Sequence, residues 1–164
     1  MKYESLENYE PTSFLWGILS KCRLDLKNLI VELEKLNRSD LIRFQLEYRI
    51  AVLNIMPDEE IEVHVAGNIY RPTYDHRIEF SEWVVSLGEN FYKSAMNKTL
   101  ELTSFFKSVY ETNAFSNTTD QTWNTVLNDA SVYGSSTSPQ YIAYKVFETK
   151  FGEDLWEIID NLLE

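Results

Sequence analysis

The two histidines of this chain are its residues best suited to proton transfer or metal binding. Glu60 precedes His64 by four residues and Glu79 follows His76 by three, so on a helix each pair would share one face. Carboxylate and imidazole groups together supply a metal site or an acid–base pair. A di-metal site in a helical bundle needs several such sets, and two histidines do not provide them. We therefore predict structural or solvated histidines, with no metal and no cofactor.

Cys22 is the only cysteine, so no intramolecular disulfide is possible. A catalytic thiol needs a histidine and an orienting group beside it, and the sequence places neither. The motifs of phosphate loops, dinucleotide-binding turns, serine hydrolases and zinc proteases are all missing from the sequence. We predict a buried Cys22, no catalytic residue and a protein that is not an enzyme. The alternative is an enzyme whose site is assembled from dispersed carboxylates and His64 or His76.

The charge of the chain indicates what it would bind. The formal charge is −11, from 26 acidic and 15 basic residues, and both halves of the chain are acidic. Such a field repels nucleic acid and anionic membranes and favours a basic protein partner, although solubility alone also explains it. The first ten residues, MKYESLENYE, have no apolar segment of signal-peptide type, and no apolar run approaches the roughly 20 residues of a membrane span. We expect a cytoplasmic protein.

Acidic residues are concentrated in two segments, 58–62 and 148–164. Each segment is either a solvated face or a surface that meets a basic partner, whose association complementary charge would accelerate. A third candidate contact is the start of a predicted helix, where Asp75 would cap the helix and form a buried or half-buried ion pair with Arg77. The predicted partner-binding residues are Asp58, Glu59, Glu60, Glu62, Asp75, Arg77, Glu153, Asp154 and Glu157.

The elements that position these residues are predicted to be helices, because apolar residues recur at spacings of three and four. We predict an all-α protein in which residues 1–10 are flexible and residues 11–164 form a single compact domain of about seven or eight helices. Residues 13–36 form one helix or two, and residues 75–100 form one amphipathic helix with Trp83 in its core face. A further helix is predicted around Trp123, after a polar loop at 112–120.

The segment 58–70 is ambiguous. Ile61, Val63 and Val65 alternate with polar residues, as in a strand. However, the acids that follow Pro57 suit the first turn of a helix, where the helix dipole favours negative charge. We predict a helix, because no partner strand is apparent nearby.

The order of these motifs resembles that of the bacterial domain-of-unknown-function family 4240. The resemblance implies an all-helical fold over most of the chain and brings no catalytic assignment. The residues that carry it are Phe14, Leu15 and Trp16, then Leu33, Leu36, Ser39 and Phe44, then Asp75, Arg77, Phe80, Trp83, Val84, Val85, Gly88 and Tyr92, and finally Tyr144, Phe147, Gly152 and Glu153.

These observations favour a small acidic cytoplasmic protein-binding module, such as an immunity-type inhibitor of a cationic toxin or of another basic partner. Its rivals are the enzyme described above and a regulatory module that binds a small ligand at the helix start near Asp75. A pocket with convergent titratable groups would favour an enzyme. A flat acidic patch with exposed tyrosine or tryptophan would favour a protein-binding module.

Overall fold

The computed structural model describes residues 9–97, 101–111 and 138–163. Within these ranges the chain is mostly helical, with one small antiparallel sheet, which confirms the predicted all-α class. Residues 1–8 of the predicted flexible segment, the predicted loop at 112–120 and the predicted helix around Trp123 lie outside the described residues. The elements are α1 Ser13–Cys22, α2 Leu26–Glu34, α3 Arg38–Asn54, β1 Val63–Val65, β2 Asn68–Tyr70, α4 Tyr74–Ser86, α5 Glu89–Met96, α6 Leu102–Glu111, α7 Pro139–Phe151 and α8 Leu155–Leu163.

Contacts within the chain define two compact units. The first unit comprises Met1–Ile50 and Trp123–Glu164, and the second comprises Ala51–Thr122. The single domain over residues 11–164 stays a prediction. No helix in the described part of the chain combines the length and the apolar character needed to cross a membrane.

In the first unit, residues 13–36 form two helices. Arg23 and Leu24 adopt left-handed backbone angles, with φ of 50° and 57°, which ends α1. Asp25 then caps α2, because its side chain accepts the backbone N–H groups of Lys27 and Asn28. The apolar face of α2 is buried where this helix packs on α1 and α7.

The helix α3 is buried on every side along its middle. A helix with no solvent-facing stripe lies inside a protein, and its polar residues must find partners there. Two of the buried residues are polar, which the apolar periodicity did not reveal. The fully buried consecutive residues are Phe44, Gln45, Leu46, Glu47 and Tyr48.

In the second unit, the helix predicted over residues 58–70 is wrong. β1 pairs with β2 in an antiparallel hairpin, with His64 opposite Ile69. The connection is the two-residue turn Ala66–Gly67, whose φ angles are 51° and 81°. Positive φ at both positions is typical of a type I′ turn, which suits the twist of a hairpin. The partner strand was missed because β2 is exposed along its whole length and shows no apolar alternation.

The single helix predicted from residue 75 to residue 100 is also wrong. Gly88, with φ of 99°, separates α4 from α5. The helix α4 is capped by Thr73, whose hydroxyl accepts the His76 N–H at 3.3 Å, and Asp75 lies one residue inside the helix. The positive φ of Gly88 between the two helices is a conformation that other residues adopt only with strain.

An aromatic cluster forms the core of the second unit. Phe80 of α4 is fully buried, with its ring centroid 4.8 Å from that of Phe106 and 5.8 Å from that of Phe105. Trp83 stacks on Phe105 at 5.5 Å, and Phe91 of α5 lies 5.8 Å from the same ring. Trp83 packs in this face but is only half-buried, less than the prediction required. The centre of the cluster is Phe80.

Candidate protein-binding surface

The acidic segment after Pro57 is a turn followed by extended backbone. Asp58, Glu59 and Glu60 are exposed, and Glu62 is half-buried immediately before β1. The carboxylate of Asp58 accepts the Glu60 N–H at 2.8 Å, so this side chain fixes the turn that replaces the predicted helix. The segment therefore presents its carboxylates from a defined backbone.

Among the described residues, one arginine partly compensates these acids. Arg71, which follows β2, lies 3.5 Å from the carboxylate of Glu60 and 3.2 Å from that of Glu62. Glu62 and Arg71 face each other one position beyond Val63 and Tyr70, the last backbone pair of the hairpin. Opposite charges in facing positions on neighbouring strands attract each other, so this pair favours the hairpin. One cation against four acids leaves the surface negative.

Exposed apolar side chains accompany the acids. Ile69 is 59% exposed, Tyr70 50% and Tyr74 52%. Large aromatic residues beside charged groups are the usual anchors of protein interfaces. We use the term hairpin surface for these residues of the hairpin and its flanks, among which Ile69 and Tyr70 lie on opposite faces of the two-stranded sheet: Asp58, Glu59, Glu60, Glu62, Ile69, Tyr70, Arg71 and Tyr74.

Arg77 lies beneath this surface. Its side chain is 8% exposed, its Nη1 donates to the Pro57 carbonyl at 3.0 Å, and its guanidinium lies 5.8 Å from the Tyr74 ring. The predicted ion pair with Asp75 is wrong: Asp75 is exposed, and no carboxylate of the described residues lies within ion-pair distance of Arg77. Arg77 instead joins the first turn of α4 to the start of the acidic segment.

The predicted C-terminal contact residues lie in the first unit, and two of them stabilise the local structure. Glu153 binds Arg38 through two hydrogen bonds, one of them 2.7 Å from the arginine Nε, and this guanidinium lowers the pKa of the carboxyl. Asp154 caps α8 by accepting the N–H groups of Trp156 and Glu157. Glu157 itself is exposed.

His64 and Cys22 each lie in a structural setting rather than in a chemical site. His64 lies on β1, where its backbone N–H donates to the Glu111 carboxylate at 2.8 Å, so it shares no helix face with Glu60. No group of three metal-binding side chains occurs in the part of the chain that the structure describes. Cys22 is fully buried, its thiol donates to the Ile18 carbonyl at 3.0 Å, and burial raises its pKa to about 12. Such a thiol stays protonated and unreactive near neutral pH.

Two open depressions are present among the described residues. One, of about 650 Å³ in the second unit, is lined by Asn54, Glu101, Thr103, Ser104 and apolar neighbours. The other, of about 490 Å³ in the first unit, is lined by Lys21, Arg23, Glu32 and their neighbours. Neither brings a carboxylate and an imidazole together, so neither resembles the site of the alternative enzyme.

Sequence reasoning missed Glu47. Its buried carboxylate accepts the Thr12 N–H at 2.8 Å, the Thr12 hydroxyl at 3.0 Å and the Arg43 Nε at 2.7 Å. In the sequence, Arg43 and Glu47 form an ordinary pair four residues apart, which is usually exposed. The network fixes α1 to α3, which is a structural role.

Comparison with protein-family models, curated proteins and solved structures gives no match for this chain. The resemblance to the bacterial domain-of-unknown-function family 4240 therefore stays a prediction.

Proposed function

We propose that this protein is a small acidic protein-binding module whose hairpin surface contacts a basic partner protein. One observation carries the proposal: carboxylates that Arg71 compensates only in part coincide with exposed apolar side chains in one stretch of the second unit. An interface of this kind takes its steering from the charges and its affinity from a few large side chains.

The charge of the second unit supports a basic partner. Residues 51–122 hold eleven acidic and five basic residues, so the hairpin surface belongs to an acidic unit. Long-range attraction of this kind raises the association rate of an oppositely charged protein. An immunity-type inhibitor of a cationic toxin is the form of this function that we propose.

The two acidic segments differ in what their side chains already bind. At the C-terminus, Glu153 is paired with Arg38 and Asp154 serves as a helix cap. Next to the hairpin, Glu59 has no ion pair among the described residues, and Glu60 shares Arg71 with Glu62. We therefore assign the partner contact to the hairpin surface.

The test compares two charge reversals in association kinetics. A partner is first captured on immobilised wild-type protein from a lysate of the cells that naturally produce this protein, and it is then purified. The double variant Glu59→Lys/Glu60→Lys keeps Asp58, which fixes the turn. The control Glu148→Lys/Glu157→Lys makes the same charge change in the first unit. We expect the first variant to slow association much more than the control, and the difference to shrink at high salt as ions screen the charges.

The anchors are tested through the dissociation rate. We expect Tyr70→Ala and Tyr74→Ala to speed dissociation, because truncating a large interface side chain chiefly shortens the lifetime of the complex. If both charge reversals slow association equally, net charge alone steers the partner and the hairpin surface is not its site. If neither has any effect, the acidity serves solubility.

A further inference from the structure

We infer that the partner contributes an extended segment that joins β2 as a third strand. The inference rests on the proposed function and specifies how the hairpin surface binds. Strand addition to an exposed sheet edge is a recurrent mode of peptide recognition, in which main-chain hydrogen bonds supply affinity and flanking side chains supply specificity.

The register shows which backbone groups face outward. The two-residue turn makes Val65 and Asn68 the hydrogen-bonded pair that closes the hairpin, and Val63 with Tyr70 is the next such pair. The residues between them, His64 and Ile69, therefore direct their N–H and C=O groups away from the partner strand.

The two outer edges differ. On β1, the outward N–H of His64 donates to the Glu111 carboxylate at 2.8 Å, and α6, which carries Glu111, packs on this strand. On β2, the N–H and C=O of Ile69 make no hydrogen bond to any described residue, and all three residues of the strand are exposed. The edge of β2 is thus open for pairing while that of β1 is occupied.

Charge selects the occupant. Glu59, Glu60 and Glu62 lie directly before β1 and outnumber Arg71, the cation that follows β2, so the net charge around the hairpin attracts a strand that carries lysine or arginine. A second copy of this chain would bring its own charge of −11 and the same acids, which oppose edge-to-edge pairing. The occupant we infer alternates basic residues with apolar ones, since Ile69 offers an apolar contact beside the open backbone groups.

The decisive variant is Ile69→Pro, compared with Ile69→Thr. Proline removes the outward N–H, which makes no bond to β1, so the hairpin can keep its own ladder. Threonine keeps the N–H and suits a strand, and it controls for the loss of the isoleucine side chain. Circular dichroism and thermal melting establish that both variants are folded.

The probes are two synthetic peptides of equal charge. In one, lysine alternates with valine, which favours a strand. In the other, glycine and serine replace valine, which favours a flexible chain. We expect the wild-type protein to bind the lysine–valine peptide more tightly than the flexible one. We expect Ile69→Pro to weaken this binding roughly tenfold relative to Ile69→Thr, because one backbone hydrogen bond, from the N–H of residue 69, is lost.

Amide hydrogen exchange on the wild-type protein gives a measurement that needs no variant. The Ile69 amide should become protected when the lysine–valine peptide is bound. An unprotected Ile69 amide at saturation, equal binding by the two Ile69 variants, or equal affinity for the two peptides would each overturn strand addition. These results would leave the charge-reversal test of the proposed function unaffected. Sedimentation that shows a wild-type dimer, abolished by Ile69→Pro, would assign the edge to a second copy and overturn the inferred occupant.

Discussion

Among single substitutions, we expect replacement of Glu47 to lower the free energy of unfolding most for the number of atoms changed. The side chain is fully buried, and it joins α3 to the backbone and hydroxyl of Thr12, the residue that caps α1. Glu47→Leu removes the only acceptor in this network that carries a charge. Glu47→Gln keeps the size and shape, so the two substitutions separate the loss of charge from the loss of all acceptors.

The magnitude follows from the groups that are left behind. Without the carboxylate, the Thr12 N–H loses its side-chain acceptor and the Arg43 guanidinium loses its counter-ion. Arg43 is 43% exposed and can return to water, whereas the Thr12 N–H is partly buried. We expect Glu47→Leu to cost about 2–4 kcal/mol, because the part-buried N–H and hydroxyl of Thr12 both lose their acceptor, at about 1–3 kcal/mol for each buried group. We expect Glu47→Gln to cost about 1.5–3 kcal/mol, because one amide oxygen still accepts while the NH₂ group faces donors.

The assay is urea unfolding followed by both circular dichroism and tryptophan fluorescence, which must agree for the free energies to be compared. Glu148→Gln is the matched control, because Glu148 makes an exposed pair with Lys145 and its loss should change stability little. A cost below about 0.5 kcal/mol for Glu47→Gln would refute the argument, since the network would then not need the charge.

Three further changes test the core, the hairpin turn and the thiol. Phe80→Ala should cost about 3–5 kcal/mol and Trp83→Ala clearly less, because only Phe80 is fully buried; the reverse order in urea unfolding would contradict the assigned centre of the cluster. Ala66→Asn should stabilise the protein by about 0.5–1 kcal/mol, because asparagine tolerates the positive φ of the type I′ turn; unchanged or lower stability would count against that turn. Cys22 should resist a thiol reagent at pH 8 until the protein unfolds. The pKa of Cys22 is about 12 in the folded protein and 9.0 ordinarily, so the unfolded thiol ionises first as pH rises. The free energy of unfolding should therefore fall between these two pH values. It should fall less steeply in Cys22→Ala, which has no thiol to ionise.

Local chemistry determined much of the fold directly from the sequence. Ser138–Pro139 begins α7, and Gly152, with a left-handed φ of 66°, ends it, because a proline and a glycine have narrow backbone roles that neighbours hardly alter. The all-α class followed from a helical period repeated along most of the chain. The break after Cys22 was one of two options in the sequence, and the left-handed backbone of Arg23 and Leu24 made it definite.

No local sequence pattern predicted which distant residues would pair. The hairpin depended on whether Val63 would find a partner in Asn68–Tyr70, and an exposed strand carries little apolar signal. Arg77 was expected to bind Asp75 but instead reaches the Pro57 carbonyl, twenty residues earlier. The sequence by itself determined the acidic charge, the helical class and the two acidic segments. Only the tertiary structure decided which of those segments lies beside exposed aromatic residues and an open strand edge, because that depends on what packs against each side chain.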